Sequence, residues 1–352
     1  MKTLNISARV LGHSFARDPE LRVPQHPRFI REVLTIPYGT DGLLFEGVRD
    51  VQVITGRSAR SFLPRLLPLL DGTRSIDALA AAFPTLPPQA IHDAVALLYS
   101  RGLLEDGPLP PAPERGAEKA AALAGYAGRY VDVTRVNRSR GEVLDRLAAQ
   151  NVAVIATSAA TDVMAALADQ GLGALSLVSD PGQLAGGGHD LVIGVFAGDA
   201  DNPRDWFSAA WNAGIRALHV HVGADKVELG PYFIPGTSGC YDCFRALVPE
   251  APGGTAPDAA FWSGVAALQA FNLLSRIGPV KLYNVCRVHR RTSEGPMYEK
   301  RNLARLPGCP ACGLEGAGPP ANHPDTQAWI LHNAAHVMTA KELRSPRDHQ
   351  IH

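Results

Sequence analysis

The chain has 352 residues, of which 46% are hydrophobic and 19% are charged. This length allows two or three domains, and the composition is typical of a globular protein. The 34 Lys and Arg residues balance the 34 Asp and Glu residues, which argues against a general attraction to nucleic acid or to an anionic membrane. Residues 1–17 lack the apolar centre of a signal peptide, and no apolar run is long enough for a transmembrane helix. We therefore expect a cytoplasmic protein with reduced thiols and without nucleic-acid or membrane partners.

The first hundred residues change from a strand pattern to a helix pattern. Short runs of branched and aromatic residues, punctuated by glycines, predict strands within residues 21–55. Apolar residues at helical spacing then predict three helices, over 58–70, 76–83 and 89–101. Gly102 ends the last helix before a short predicted strand. Strands followed by three helices predict a winged-helix domain over residues 1–106.

A winged helix can bind either DNA or a peptide. A DNA-recognition helix carries basic and amide side chains that face the groove. The third predicted helix has no Lys or Arg before Arg101, which argues against DNA. The other interpretation is that an extended peptide adds to an exposed strand edge and packs beside this helix.

The stretch "LLPLLDGTRSIDALAAAFP" and the later stretch "AVALLYSRGLLED" resemble the PqqD-type recognition element of ribosomal peptide biosynthesis. In that family the leader of a precursor peptide binds between the third strand and the third helix. The resemblance implies the following leader-binding residues: Val51, Gln52, Val53, Ile54, Thr55, Ile91, Val95, Leu98, Tyr99 and Arg101.

The middle of the chain alternates apolar strands with helices. A proline-rich linker and two predicted helices occupy residues 107–150. Within residues 151–315, strands are predicted at 152–156, 174–178, 190–196 and 215–222, with helices at 161–170 and 206–213. This alternation predicts an α/β domain with an open, mostly parallel sheet, in which ligands bind beyond the carboxyl ends of the strands.

The loop after the first of these strands, Ala156–Thr161, contains no glycine. A phosphate-binding loop needs glycines there so that backbone N–H groups can approach the anion. We therefore predict a degenerate nucleotide site, with Thr157 and Ser158 in this loop and Asp201 and Asn202 after a later strand. Asp201 or Asn202 can instead cap the helix that begins near Pro203.

Four cysteines form two CxxC pairs, Cys240 with Cys243 and Cys309 with Cys312, separated by 65 residues. Two such turns can supply the four thiolates of a tetrahedral structural Zn²⁺ site, which leaves no open position for a substrate. Two disulfides are the alternative, but they require an oxidising compartment. The fifth cysteine, Cys286, lies in an apolar stretch and is predicted to be a buried thiol.

Residues 213–247, "AGIRALHVHVGADKVELGPYFIPGTSGCYDCFRAL", resemble the ThiF/MoeB-type fold of ubiquitin-activating-like enzymes. That family has a zinc turn at this place, a second CxxC far downstream, and an acidic ATP–magnesium motif where Asp201 and Asn202 stand. The chain departs from the family in lacking the glycine loop, a clear arginine finger, the ATP-contacting lysine and an acceptor cysteine. The resemblance implies the fold without its adenylating chemistry.

A recognition element joined to a degenerate ThiF-like domain is similar to the leader-peptide-binding proteins of azole-modified peptide biosynthesis, also called ocin-ThiF-like or cyclodehydratase partner proteins. This resemblance implies that the chain binds the leader of a precursor peptide and presents it to a YcaO-type cyclodehydratase, which uses ATP to form thiazoline and oxazoline rings. The chain itself would be non-catalytic, and it could form a homodimer. The alternatives are a ThiF-like adenylating enzyme that acts on a peptide or carrier carboxylate, and a winged-helix regulator with a metal-sensing domain.

The last hundred residues give weaker signals. A long apolar helix at 259–277 is expected to pack in the core through Phe261, Val265 and Leu268. A strand pair at 280–289 and 296–303 carries six basic residues that form either a solvated face or a docking surface for the partner enzyme: Arg287, His289, Arg290, Arg291, Lys300 and Arg301. Residues 316–352 are predicted to hold a helix, in which His332 and His336 have a spacing that can bind metal, and a polar tail.

Overall fold

A computed structural model of the protein describes residues 8–10, 12, 22–108, 117–131, 136–197, 202–248, 258–277, 282–292, 295–306 and 309–312. The chain divides into two compact units. The first contains Met1–Gln150, Leu167–Ala174 and Leu268–Val280, and the second contains Asn151–Ala166, Leu175–Ala267 and Lys281–His352. Most of the predicted linker, Asp201 and the predicted segment 316–352 with His332 and His336 lie outside the described residues.

The first unit contains five short strands: β1 (Pro27–Phe29), β2 (Leu34–Tyr38), β3 (Gly42–Glu46), β4 (Gln52–Thr55) and β5 (Leu104–Asp106). Strands β2, β3 and β4 form an antiparallel sheet in that order, and β1 pairs with β5. Its helices are α1 (Arg57–Ser61), α2 (Leu63–Leu66), α3 (Ile76–Ala81), α4 (Pro88–Ser100), α5 (Ala117–Tyr130) and α6 (Arg140–Ala148). Strands and helices therefore follow one another in the predicted order.

Local sequence explains where these helices begin and end. Ser75 caps α3 by accepting a hydrogen bond from the Ala78 N–H at 3.2 Å, and Gly102 follows α4 with a φ of 71°. The single helix predicted over 58–70 is wrong. In the structure this stretch is divided into α1, α2 and a 3₁₀ turn at Leu67–Leu69, because Pro64 and Pro68 have no N–H to donate within a helix.

The sheet of the first unit buries one face and exposes the other. Phe45 and Leu43 on β3 project into the core, where helix α4 contributes Ile91, Val95 and Leu98. Residues opposite one another on neighbouring strands share a face, so Leu44 and its partners Ile36 and Val53 project outward. This outward face is apolar and exposed, which is unusual for the solvated side of an antiparallel sheet.

A buried ion cluster joins four segments of the first unit. The Glu105 carboxylate, which is completely buried, pairs with Arg28 at 2.7 Å and with Arg140 at 2.8 Å. The guanidinium of Arg140 also forms two hydrogen bonds to Glu32, at 2.8 and 2.9 Å. These contacts attach the start of α6 to β5 and to the segment between β1 and β2.

The second unit is built on a seven-stranded sheet. Its strands are β6 (Asn151–Ile155), β7 (Ala174–Val178), β8 (Leu191–Ala197), β9 (Arg216–Val222), β10 (Lys226–Phe233), β11 (Val285–Thr292) and β12 (Gly295–Asn302). They lie in the order β12-β11-β10-β9-β8-β6-β7. Strands β6, β8 and β9 pair in parallel, which confirms the α/β prediction, and β10, β11 and β12 extend the sheet in antiparallel fashion.

The remaining helices are α7 (Ala160–Leu167), α8 (Pro203–Asn212), α9 (Tyr241–Leu247) and α10 (Ala259–Ser275). Helix α10 lies where the long apolar helix was predicted, but the expectation that Phe261 and Leu268 pack in the core is wrong, because both side chains are exposed. Within the part of the chain that the structure describes, no helix is long and apolar enough to cross a membrane.

Candidate functional site

The four cysteines of the CxxC pairs come together at one point of the second unit. Cys240 precedes helix α9 and Cys243 lies in its first turn, while Cys309 and Cys312 belong to a second turn that follows β12. All four Sγ atoms lie within 4.8 Å of one another. The Sγ atoms of Cys240 and Cys309 are 3.6 Å apart, and those of Cys243 and Cys312 are 3.3 Å apart. All are free thiols, so these pairs are not disulfides, in which the sulfurs are bonded at about 2.05 Å.

The surroundings of this cysteine cluster suit a closed metal site. The backbone N–H of Leu306 donates to the Cys243 Sγ at 3.3 Å, and Arg305 Nε donates to the Ser238 carbonyl at 2.9 Å. Burial disfavours the Cys309 thiolate, but hydrogen bonds from the Ala311 and Cys312 N–H groups outweigh it and lower the pKa of Cys309 to about 7. Four sulfurs this close, three of them buried, can hold a metal ion.

Cys286 is separate from this cluster. It lies on β11 and is 1% exposed, and burial raises the pKa of its thiol well above the usual value. A protonated, enclosed thiol is a poor nucleophile, so the prediction of a buried structural thiol agrees with its position.

A second buried charge cluster, not predicted from the sequence, lies beside helix α9. The buried Glu228 carboxylate forms an ion pair with Lys226 at 2.8 Å and accepts a hydrogen bond from Arg245 at 2.8 Å. The Arg245 guanidinium also lies 3.1 Å from Nε2 of His219, whose Nδ1 is 3.1 Å from the Gly230 carbonyl. Because a carbonyl only accepts, Nδ1 carries the proton and Nε2 accepts from Arg245. Burial and the neighbouring Arg245 charge lower the pKa of His219, so the ring is neutral.

An open cavity of about 490 Å³ adjoins this cluster and the cysteines. Its lining residues are Asn202, Arg204, Tyr241, Asp242, Arg245 and Pro310. Arg204 pairs with Asp242 at 2.9 Å, and Arg245 shares the Glu228 carboxylate with Lys226. Both arginines that line the cavity are therefore already paired with a carboxylate of the protein.

The residues predicted for a degenerate nucleotide site follow the carboxyl ends of two neighbouring strands. Thr157 and Ser158 follow β6, and Asn202 follows β8 at the start of α8. The Thr157 hydroxyl donates to the Val195 carbonyl at 2.6 Å and accepts from the Ala159 N–H at 3.3 Å. Asn202 accepts from the Arg204 N–H at 3.2 Å, which is the capping role considered as the alternative. Thr157 and Asn202 thus bond to the protein's own backbone, and Ser158 is exposed.

The strand predicted to bind a peptide, β4, is an end strand of the three-stranded sheet. Val51 and Val53 are exposed, Gln52 and Ile54 are half-buried, and Thr55 is exposed at the end of the strand. The Arg101 guanidinium reaches Gln52 Oε1 at 3.4 Å, so the end of helix α4 lies next to this edge.

The helix residues predicted to line the peptide groove are placed deeper than expected. Ile91, Val95 and Leu98 are completely enclosed in the core, and Tyr99 is 8% exposed. They pack in the same core as the buried face of the three-stranded sheet and present almost no surface to a peptide. The reason is that residues 94–99 of α4 are all apolar and all buried, so that periodicity alone could not show which of them would face a peptide.

The fold is shared with heterocyclases and with the microcin C7 biosynthetic enzyme MccB, at low sequence identity. No family model matches the sequence, and no curated protein matches it. Over 82% of this chain, the heterocyclase TruD superposes with a TM-score of 0.56 at 18% identity, and a heterocyclase in complex with substrate and cofactor with 0.55 at 16%. E. coli MccB superposes over the same share with a TM-score of 0.61 at 15% identity.

These structures differ in how much of their own length is matched. The chain spans 43% and 39% of the two heterocyclase chains but 99% of the MccB chain. MccB structures include complexes with MccA peptides, one of them N-formylated. The comparison establishes an α/β fold found in heterocyclase and MccB-type proteins.

Proposed function

We propose that this chain binds the leader of a ribosomal precursor peptide and presents it to a separate YcaO-type, ATP-dependent cyclodehydratase that forms thiazoline or oxazoline rings. In this proposal residues 1–106 form a winged-helix recognition element, 107–150 a connecting segment, 151–315 a ThiF-like domain and 316–352 a C-terminal helix and tail. The fold supports it, because both the heterocyclases and MccB share this fold and both have structures with substrate or peptide bound.

The observation that carries the proposal is the open edge of β4. A peptide can add to a sheet only where backbone N–H and C=O groups are unpaired. The sheet has two end strands, but Pro37 is the fourth of the five residues of β2 and removes one N–H from that edge. Strand β4 contains no proline, and Arg101 beside it can meet an acidic side chain or a carbonyl of the peptide.

The decisive experiment is a binding titration of the synthetic cognate leader with the full chain. Val53→Asp places a charge on the outward side of β4, where Val53 is 43% exposed, and is expected to weaken leader binding about tenfold or more. Leu34→Asp is the matched control, because Leu34 is also exposed and outward but lies on β2. The proposal fails if the native chain binds no leader, with or without the cyclodehydratase.

The metal and nucleotide sites support a non-catalytic role. We assign Zn²⁺ to the four cysteines, since a Zn–S bond of about 2.3 Å places sulfurs about 3.8 Å apart in a tetrahedron, close to the observed separations of 3.3 and 3.6 Å. Such an ion holds the two turns together and takes part in no chemical step. The loop after β6 has a Cβ at every position and its Thr157 hydroxyl is bonded internally, which disfavours a bound phosphate.

A second candidate is a ThiF-like enzyme that adenylates a peptide or carrier carboxylate. It is favoured by one observation: an E. coli MccB structure with AMPCPP and MccA matches this fold at a TM-score of 0.60 over 99% of its chain. The two candidates differ in whether this chain activates ATP by itself.

A further inference from the structure

The hairpin of β11 and β12 carries an exposed surface that the peptide edge and the metal site do not use. Opposite residues in this pair share a face, which places His289 with Tyr298 and Arg287 with Lys300. Helix α10 adds Phe261 and Trp262 to the same face, where Trp262 contacts His289 edge-on. We call this set the hairpin surface: Phe261, Trp262, Arg287, His289, Tyr298 and Lys300.

The aromatic rings of the hairpin surface form a continuous row. Ring centroids are 5.2 Å apart for Phe261 and Trp262, 4.8 Å for Trp262 and His289, and 4.9 Å for His289 and Tyr298. The two ends of the row are open to solvent, with Phe261 64% and Tyr298 72% exposed. Exposed aromatic rings in contact with one another are typical of interface anchors, because aromatic side chains lose little conformational freedom on binding.

The charge of the hairpin differs from that of the whole chain. The chain is neutral, yet the described side chains of the hairpin include Arg287, Arg290, Lys300 and Arg301 against one acid, Glu299. Glu299 pairs with Arg301 at 2.6 Å on the opposite face. At the margin of the hairpin surface, Asp258 accepts from the Trp262 indole at 3.3 Å. The surface therefore presents aromatic rings flanked by Arg287 and Lys300.

This combination fits a protein partner with an acidic surface. Aromatic residues and arginine are enriched at protein interfaces, and cations around an apolar centre steer an acidic partner and orient it. Strand β12 is also the end strand of the seven-stranded sheet, so it adds an accessible edge beside the rings.

We propose that the hairpin surface docks an acidic face of the cyclodehydratase, an inference that rests on the proposed function. The heterocyclases of the same fold extend well beyond the part matched here, since this chain spans 39% and 43% of them. If the catalytic part is a separate chain for this protein, the two chains need a non-covalent interface. The hairpin surface has the composition and charge for it.

Alternation along β12 provides matched variants for the test. Tyr298→Ala and Lys300→Glu change the hairpin surface, whereas Met297→Ala and Arg301→Glu change neighbouring exposed residues on the opposite face. Binding of the full chain to the purified cyclodehydratase is measured by surface plasmon resonance at low and moderate salt, with folding checked by thermal melting. Tyr298→Ala is expected to weaken binding about tenfold or more, which is typical of an aromatic anchor. Lys300→Glu should weaken binding and reduce its salt dependence, and both controls should stay within about twofold of the native chain.

The outcomes separate the two proposals. Suppose that the native chain binds both the leader and the enzyme. If all four variants then bind the enzyme as tightly as the native chain, or all four lose the same amount of affinity, the docking surface is refuted and the proposed function stands. If the native chain binds no cyclodehydratase, both are refuted. Aromatic rings beside cations also suit single-stranded nucleic acid, so a single-stranded RNA of mixed sequence is titrated in parallel. RNA binding that depends on Tyr298, with no enzyme binding, would assign the surface to nucleic acid instead.

Discussion

Single residues in the first unit show how burial changes the cost of a charge. Glu105 has no exposed surface, and its two arginine partners, Arg28 and Arg140, are almost as buried. Removing one member of such a cluster leaves an unpaired charge in the core and typically costs about 3–5 kcal/mol. The sequence gives no sign of the cluster, because its members are separated by up to 112 positions, from Arg28 to Arg140, and only the folded chain brings them together.

Glu32 at the edge of this cluster should make stability depend on pH. Burial alone would raise the pKa of Glu32, but the hydrogen bonds and charge of Arg140, together with a backbone N–H and the charge of Arg129, outweigh burial, and the pKa lies below the usual value. Its carboxylate therefore stabilises the fold above the unfolded-state pKa, and this contribution is lost as the pH falls through the folded-state pKa.

We expect Glu32→Gln to lower the free energy of unfolding by about 1–3 kcal/mol at pH 7, through loss of charge-assisted hydrogen bonds. The difference from the native chain should shrink below about pH 4, where the native carboxyl also becomes protonated. Urea denaturation of both proteins across this range measures it. A difference that does not vary with pH would contradict the assigned ion pair.

Secondary-structure elements were predictable where local signals agreed with the fold. The β6, β8 and β9 strands lie where apolar runs predicted them, and the cysteine cluster follows from the spacing of its ligands. Strand β10 was not predicted because it contains two charged residues, Lys226 and Glu228. Both are buried in the structure, where Glu228 pairs with Lys226 and with Arg245 of helix α9. The exposure of apolar residues on α10 was also not predicted, because apolar periodicity does not distinguish a buried helix face from an exposed one.

The short turns that carry the cysteines should depend on their metal. Each turn contains few residues, and a structural Zn²⁺ ion contributes on the order of 10 kcal/mol of apparent folding free energy. We expect Cys309→Ser to lose the metal and to unfold the second unit without altering any chemical step. Cys286→Ala is the control, because Cys286 is buried but outside the ligand set.

Elemental analysis should therefore find about one zinc ion per chain in the native protein and in Cys286→Ala, and almost none in Cys309→Ser. Calorimetry should show the loss of one unfolding transition only in Cys309→Ser. A folded, metal-free Cys309→Ser protein that still supports peptide modification would refute the structural role.

At the scale of the whole molecule, the fold could be predicted from the sequence better than the function. The CxxC spacing and the strand–helix alternation indicated the α/β domain, and the fold shared with heterocyclases and MccB agrees with that. The sequence determines function less well, because the same fold occurs in two kinds of protein. The heterocyclase chains extend far beyond the matched part, whereas MccB is matched over 99% of its chain. The features of this chain that bear on function are local: a loop without glycine after β6 and an end strand at β4.

Whether the chain activates ATP can be measured directly. In the proposed function, the purified chain supplied with leader peptide and ATP should catalyse no ATP–pyrophosphate exchange above a buffer blank. The physical reason is that Thr157 and Asn202 are bonded to the protein's own backbone and no glycine loop approaches a phosphate. Exchange that requires the peptide, and that is lost in Asn202→Ala, would establish the adenylating enzyme instead.

The cysteine cluster has a consequence for how this protein can change over evolution. Its two cysteine pairs clamp the ends of a 65-residue segment that contains α10 and the β11–β12 hairpin. Once the ends of a segment are tied, altering the length of a flexible loop within it costs little additional chain entropy. The exposed side chains of the hairpin can therefore change, and be selected for a new binding partner, while the pairing of β11 with β10 is preserved.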